Sequence, residues 1–329
     1  MENLLEIKDL RIEFETQKGI VSAVDGIDLT VKKGETLCIV GESGCGKSVT
    51  SLSVMRLLDT PPAHYSGGQI LFEGEDLLQK TEKQMCDIRG NKIAMIFQEP
   101  MTALNPVYTI GRQLTETIRR HNKDMSKQDI RKRAVELLGT VGIRDPERRL
   151  NEYPHQLSGG MRQRVMIAIA LSCGPELLIA DEPTTALDVT IQAQILNLLK
   201  KLKQELNMTI ILITHDLGVV AQMADRVTVM YGGTVVEESN VGDFFANPRH
   251  PYTKALLDCI PRIDMPKDTL YTITGSVPNL LERPEGCIFR NRCSRAADCC
   301  AEKKPGLEWH DGHGVACHFP HDKENEEVR

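Results

Sequence analysis

Residues 36–48 read TLCIVGESGCGKS, and the fold turns on how this stretch is read. TLCIV, at 36–40, has the length and apolar character of a short buried strand. It runs directly into GESGCGKS at 41–48, which fits the pattern G-x-x-x-x-G-K-[ST]. A loop of this type wraps its backbone N–H groups around phosphate oxygens, provided that a strand precedes it and a helix follows. The helix is expected to begin near Gly46, where its N-terminal dipole adds favourable positive potential. Gly41, Glu42, Ser43, Gly44, Cys45 and Gly46 then form the cradle for a nucleoside triphosphate. Lys47 reaches its β and γ phosphates, and Ser48 ligates Mg²⁺.

Working outward, LEIKDLRIEF and IDLTV alternate apolar and polar residues as half-buried strands do. LLIA from 177 and TIILIT at 209–214 are uninterrupted apolar runs, the pattern of parallel strands covered on both faces. Ala134, Leu137, Leu138 and Val141 fall at helical spacing, as do Ile191, Ile195, Leu198, Leu199, Leu202 and Leu206. Strands alternating with helices over the first ~240 residues indicate an α/β domain on a mostly parallel sheet. LLIADEP at 177–183 ends its strand in two acids. Beside a phosphate loop, Asp181 is placed to hold the Mg²⁺ shell and Glu182 to polarise the attacking water as general base. Two adjacent acids without that loop would read as a solvated strand end.

LSGGMRQR at 157–164 narrows the family. It matches the LSGGQ signature of the ATP-binding cassette ATPases at four of five positions, with Met161 where that signature has glutamine. The chain resembles that family over essentially its first 240 residues. The resemblance implies a P-loop NTPase with an antiparallel β subdomain and a helical subdomain at about 100–172. It implies that Ser158, Gly159 and Gly160 close on the ATP of a second subunit in a head-to-tail dimer. Gln98, in IFQEP, fits the glutamine that links Mg²⁺ or water to the membrane partner. Asp188, in TTALD, is expected at the dimer interface, and His215, in LITHD, fits the histidine that contacts the γ phosphate. Phe14 is the candidate for stacking on adenine, although ETQKG after it reads as an insertion.

EPMTALNP after Gln98, the continuation LSGGMRQRVMIA, and HPYTKALL, GSVPNL and PEGCIFRNRC near the end look like the ATPase subunits of bacterial dipeptide and oligopeptide importers. That group also includes nickel importers. The resemblance implies two separate membrane permeases, a second and often non-identical ATPase subunit, an external peptide-binding protein, and a peripheral position at the cytoplasmic face of the cell membrane. A nickel or other small-solute importer of the same architecture is the alternative. A soluble cassette protein of translation or DNA repair is disfavoured, because neither a second ATPase domain nor a coiled-coil insertion is visible.

Bulk properties agree. The 329 residues carry 40 basic and 46 acidic side chains, a net charge of −6, which argues against a nucleic-acid partner. No apolar run approaches the eighteen or so residues of a membrane span. The N-terminus MENLLEIKDLRIEFE lacks the basic start and apolar core of a signal peptide, which points to the cytosol.

Prolines, glycines, cysteines and histidines become frequent near residue 247. The expected division is a cassette domain at 1–246, a small cysteine-bearing domain at 247–320 and a charged tail, HDKENEEVR, at 321–329. Cys38, Cys45, Cys86, Cys173 and Cys259 are scattered, as small buried hydrophobes are. Cys287, Cys293, Cys300 and Cys317 are different: clustered thiols in a reducing compartment read as metal ligands or free thiols. Their gaps lack the tight pair that structural zinc favours, whereas a cubane cluster tolerates varied spacing. The resemblance implies a [4Fe-4S] cluster on these four, with Cys299 left as the spare thiol. Zinc, with His310, His313 or His318 available to replace one ligand, is the alternative, as are uncoordinated thiols.

Overall fold

The computed structural model describes residues 2–98, 103–185, 187–260 and 272–321. Within these the chain divides into two units. Met1–Leu4, Val31–Thr36 and Leu77–Ile213 form the first; Leu5–Thr30, Leu37–Asp76 and the chain from Thr214 onward form the second. Glu99 to Thr102 of EPMTALNP, Ala186 of TTALD and the tail beyond His321 lie outside the described residues.

In chain order the elements are β1 (Asn3–Thr16), β2 (Gly19–Lys32), β3 (Thr36–Val40), α1 (Lys47–Val54), β4 (Ala63–Phe72), β5 (Glu75–Asp76), α2 (Glu82–Ile88) and β6 (Ile93–Ile96). Next come α3 (Ile110–His121), α4 (Lys127–Thr140), α5 (Pro146–Arg149), α6 (Gly159–Ala170), β7 (Leu177–Asp181), α7 (Val189–Leu206) and β8 (Thr209–Ile213). The remainder comprises α8 (Leu217–Met223), β9 (Arg226–Tyr231), β10 (Thr234–Asn240), α9 (Val241–Ala246), α10 (Pro251–Asp258), α11 (Cys299–Glu302), β11 (Glu308–His310) and β12 (His313–Val315).

In the first unit, β6, β7 and β8 pair in parallel, Ile179 lying opposite Met95 on one side and Ile211 on the other. Every residue of β7 and β8 is buried, which is why their sequences are continuous apolar runs rather than alternations. Between β6 and β7 the described residues hold helices and no strand. Their starts are set by side-chain caps: Thr109 Oγ1 accepts from the Arg112 N–H, and Ser126 Oγ from the Asp129 N–H. Ile110, Leu114 and Ile118 then make one buried stripe on α3, and Ile130, Ala134, Leu137 and Leu138 another on α4.

In the second unit, β3 pairs in parallel with β9, and β9, β10, β12 and β11 continue antiparallel. Its other sheet has the order β2-β1-β4-β5, with β1 antiparallel to β4. ETQKG is the tip of the β1–β2 hairpin, where Thr16 Oγ1 donates to the Gly19 carbonyl. The stretch after Phe14 thus lies in the turn between two paired strands. The parallel pairings with antiparallel additions match the α/β expectation, and the C-terminal residues of β11 and β12 extend the same sheet that carries β3.

Candidate functional site

Gly41 to Ser48 form the turn from β3 into α1, as the motif requires, with Gly46 as the N-cap of the helix. Two glycines are dictated by space. A Cβ on Gly41 (φ 152°) would lie 2.2 Å from the Met230 carbonyl oxygen, and one on Gly46 (φ 99°) would lie 2.7 Å from that of Ala23. Lys47 is buried and turned onto its own loop, with Nζ donating to the carbonyls of Gly41 (2.7 Å) and Glu42 (2.9 Å). Cys45 is buried, and burial pushes its thiol pKa up, so it serves as a small apolar filler. Ser48 stands in the first turn of α1.

Behind the loop lies an aromatic group that no motif announces. Tyr231, Tyr252 and Phe289 are almost wholly buried, with ring centroids 4.7 to 5.3 Å apart in tilted or edge-on contacts. The Tyr252 hydroxyl accepts the Glu42 N–H at 2.9 Å, and the Arg292 guanidinium forks onto the Glu42 carboxylate at 2.6 and 3.1 Å. HPYTKALL and PEGCIFRNRC thus supply direct supports of the phosphate loop, a role that their resemblance to importer subunits does not suggest. His215 follows β8 and is exposed; Asp216 next to it caps α8 by accepting from the Gly218 and Val219 N–H groups.

The first unit carries the carboxylates. Asp181 closes β7 and is buried, with its backbone in register with Ile213. Glu182 has φ 45°, a left-handed backbone that is uncommon for a residue with a side chain, and its N–H donates to the Ile213 carbonyl. Its Oε2 receives two hydrogen bonds, from Gln98 Nε2 at 3.0 Å and Thr185 Oγ1 at 2.8 Å. Gln98 and Glu182, 84 residues apart in sequence, are thus joined directly. Ser158 is the N-cap of α6, its Oγ accepting from the Met161 N–H at 3.4 Å. Gly160 packs where a Cβ would lie 2.9 Å from Ile191 Cγ2, while at Gly159 a Cβ would meet nothing nearer than Leu187 Cδ2 at 4.0 Å. Asp188 caps α7 by accepting the Ile191 N–H. Gln163, which the motif alone does not single out, is buried and donates to the Pro183 carbonyl at 2.6 Å, tying the α6 helix to the turn after Glu182. Phe14 is half-buried on β1 opposite Ala63.

Among the described residues no three His, Cys, Asp or Glu side chains are arranged as ready metal ligands, so the expected metal centre is not preformed. The four cysteines nevertheless lie near one another. Burial, together with the neighbouring Cys300 and Cys293, raises the Cys287 thiol, and Cys317 is pushed up to about 11 by burial and by Cys287, Cys293 and Cys300. Backbone N–H groups two residues on point at three of the sulfurs: Phe289 at Cys287, Arg295 at Cys293 (3.4 Å) and Phe319 at Cys317 (3.3 Å). Cys287 N–H also donates to the Cys300 carbonyl. The Cys299 thiol is raised by desolvation and by Cys300. Of the histidines, His313 is buried against Glu237 (Nε2 to Oε1, 2.6 Å) and His318 Nε2 bonds to the Lys303 carbonyl. Both are engaged elsewhere than at the cysteines.

The family model for ABC transporters matches residues 24–185, and that for the C-terminal region of oligopeptide/dipeptide transporters matches residues 236–300. The chain is 55% identical over 328 residues to the oligopeptide transport ATP-binding protein AppD of Bacillus subtilis (strain 168), covering 99% of each. It is 52% identical to the dipeptide transport ATP-binding protein DppD of the same organism, over 96% of this chain and 95% of that one. Among solved structures, the dimeric post-hydrolysis ATP-binding cassette MJ0796 with ADP and Pi superposes with a TM-score of 0.65 at 30% identity, covering 72% of this chain and 98% of that one. CbiO1 of Clostridium perfringens, part of the transporter complex cbiONQ, gives 0.62 at 30% identity, over 75% of this chain and 92% of that one. With the cassette fold, the strand–loop–helix at Gly41–Ser48 and identity above half along nearly its whole length, the chain belongs to the family of ATP-binding subunits of ABC oligopeptide and dipeptide transporters.

Proposed function

We propose that this chain is the ATP-hydrolysing subunit that powers import of dipeptides or oligopeptides through separate membrane permeases. The observation that carries the reading is the phosphate loop with its glycine conformations and buried Lys47, in a chain whose relatives are named for peptide transport. Gly41 to Lys47 hold the phosphates of ATP; Ser48, Asp181 and Gln98 hold Mg²⁺; Glu182 is the general base and His215 contacts the γ phosphate. Gln98 bound to the Glu182 carboxylate supports the pair acting together, since whatever moves Gln98 also moves the base. Ser158, Gly159 and Gly160 take the ATP of a partner subunit, and Asp188 lines the interface between them. Dimeric relatives such as MJ0796 with ADP and Pi support this arrangement.

Partners are two permeases, a second and non-identical ATPase subunit, and an external peptide-binding protein, with the chain peripheral at the cytoplasmic face of the membrane. No helix among the described residues is long and apolar enough to cross a membrane. We divide the chain into a cassette at 1–246, with its helical part at about 100–172, a cysteine-bearing domain at 247–320, and a tail; a family match at 236–300, separate from that of the cassette, supports a distinct C-terminal segment. Reconstitution of the full transporter in proteoliposomes tests the function. Peptide loaded on the binding protein is expected to stimulate ATP hydrolysis and accumulate inside. Stimulation by nickel and not by peptide would overturn the substrate assignment.

Cys287, Cys293, Cys300 and Cys317 are assigned as ligands of a [4Fe-4S] cluster in preference to zinc. Their mutual proximity and the N–H groups aimed at three of the sulfurs support a thiolate set, since such bonds stabilise sulfur-held charge. When bound, the cluster would staple a segment with little apolar core of its own. Anaerobic purification should yield a brown protein with iron and acid-labile sulfide; a colourless protein with stoichiometric zinc would overturn the cluster.

A further inference from the structure

Glu42 occupies the second position of a loop built to bind anions, where an unpaired carboxylate would repel phosphate. All three of its polar groups are engaged. Its N–H donates to Tyr252 Oη, its carbonyl accepts from Lys47 Nζ, and its carboxylate is forked by Arg292, with NH1 on Oε2 at 2.6 Å and NH2 on Oε1 at 3.1 Å. Arg292 is the residue before Cys293 and ends the short 3-10 turn Arg290–Arg292, 250 positions downstream of Glu42. Its side chain is 6% exposed and spends its remaining donors on fixed acceptors: the carbonyls of Thr274 (3.0 Å) and Ile273 (3.4 Å) and the Tyr231 hydroxyl (3.3 Å). The fork raises the guanidinium pKa, so it stays charged at any working pH.

The geometry points to Arg292 as a positioning residue for the phosphate loop. From the C-terminal segment it neutralises the Glu42 carboxylate and holds it in place, so that the loop presents an anion-accepting face to a nucleoside triphosphate. The inference rests on the ATP reading of the loop and adds a residue to it. A planar bidentate pair fixes direction as well as charge, which a lysine at this position would not do. The short turn is locked from beneath, because Phe289 packs against Tyr231 and Tyr252, and Ile288 fills the space over Gly232 that a Cβ would enter at 2.6 Å.

Binding of Mg-free ATP, ADP and AMP to the purified full chain, measured by calorimetry at two salt concentrations, tests this with Arg292→Gln, Glu42→Gln and the double variant. Arg292→Gln leaves the carboxylate uncompensated, and ATP affinity should fall about tenfold, the loss shrinking from ATP to AMP and at high salt. Glu42→Gln alone is the reference corner of the cycle: the double variant should bind ATP as Glu42→Gln does and well above Arg292→Gln, because the charge that Arg292 balances is gone. Equal affinity for Arg292→Gln and the parent, or a double variant as weak as Arg292→Gln, would overturn the inference. Should Arg292→Gln fail to fold, Arg292→Lys with and without Glu42→Gln reads the same coupling: a loss of about threefold that vanishes when Glu42→Gln is also present sustains it, and one that persists overturns it. A parent chain that binds none of the three nucleotides would instead end the ATP reading itself.

Discussion

The phosphate loop and the acid ledge after β7 are held in opposite ways. The loop is fixed from behind by buried groups: Lys47 on its carbonyls, Tyr252 on its N–H, and Arg292 on its carboxylate, over a packed aromatic floor. Glu182 is held by the hydroxyl of Thr185 and the amide of Gln98, both bonds made by side chains that water can reach, on a backbone with positive φ. An anion cradle must be right before its ligand arrives, because reorganisation would be subtracted from affinity. A carboxylate held only by bonds from accessible side chains can be set or released. The contrast implies that damage behind the loop lowers stability and binding together, whereas damage at the ledge lowers turnover alone.

Substituting Glu182 by Gln tests the ledge and carries the largest expected effect. ATP hydrolysis in the assembled transporter should fall about 10²- to 10⁴-fold, with ATP affinity within about twofold of the parent. Equal losses in binding would make Glu182 part of the cradle. On the loop side, Phe289→Ala removes a ring packed against both Tyr231 and Tyr252 and should cost about 3–4 kcal/mol by urea unfolding, with a parallel drop in ATP affinity. Loss of stability without loss of affinity would show the floor and the loop to be independent.

Smaller again is a pH effect. His250 is fully buried, its Nδ1 accepts the Tyr252 N–H, and burial lowers its pKa from 6.5 to about 4. The folded state therefore holds it neutral. Its contribution is complete above pH 6.5 and is lost as pH falls through 4, a change of about 3 kcal/mol at most in the urea midpoint series. A flat profile across that window would mean the ring is protonated in place. Gln98→Ala should give the mildest result, roughly a tenfold fall in turnover with unchanged stability, since the Glu182 carboxylate keeps its bond from Thr185.

The strand–loop–helix at Gly41–Ser48 and the buried strands β7 and β8 are legible in the sequence because each is local: a motif and a run of apolar residues specify them without reference to distant partners. Spacing is a weaker guide to the buried face of α7. The expected stripe includes Leu198 and Leu206, but the buried residues are Ile195, Leu196, Leu199 and Leu202, and Leu206 is 48% exposed. A Leu-rich helix offers several stripes of similar width, and only its neighbours select among them. The supports of Glu42 come from 210 and 250 residues away, a separation that leaves no periodic trace. Likewise, the cysteine spacing names a set of thiols but not their arrangement, which depends on turns such as the one that sets the Cys287 N–H on the Cys300 carbonyl.

The bond from Glu42 N–H to Tyr252 Oη also subtracts something. Each N–H in such a loop is a donor that an anion can use, and this one is turned away to a buried hydroxyl whose pKa is raised by its burial. The inventory of donors facing a ligand is thus set by α10, far along the chain, as much as by the loop. Converting Tyr252 to Phe would leave the glycine pattern of the motif untouched while freeing one more donor, so two chains with identical phosphate-loop sequences need not offer a nucleotide the same number of hydrogen bonds.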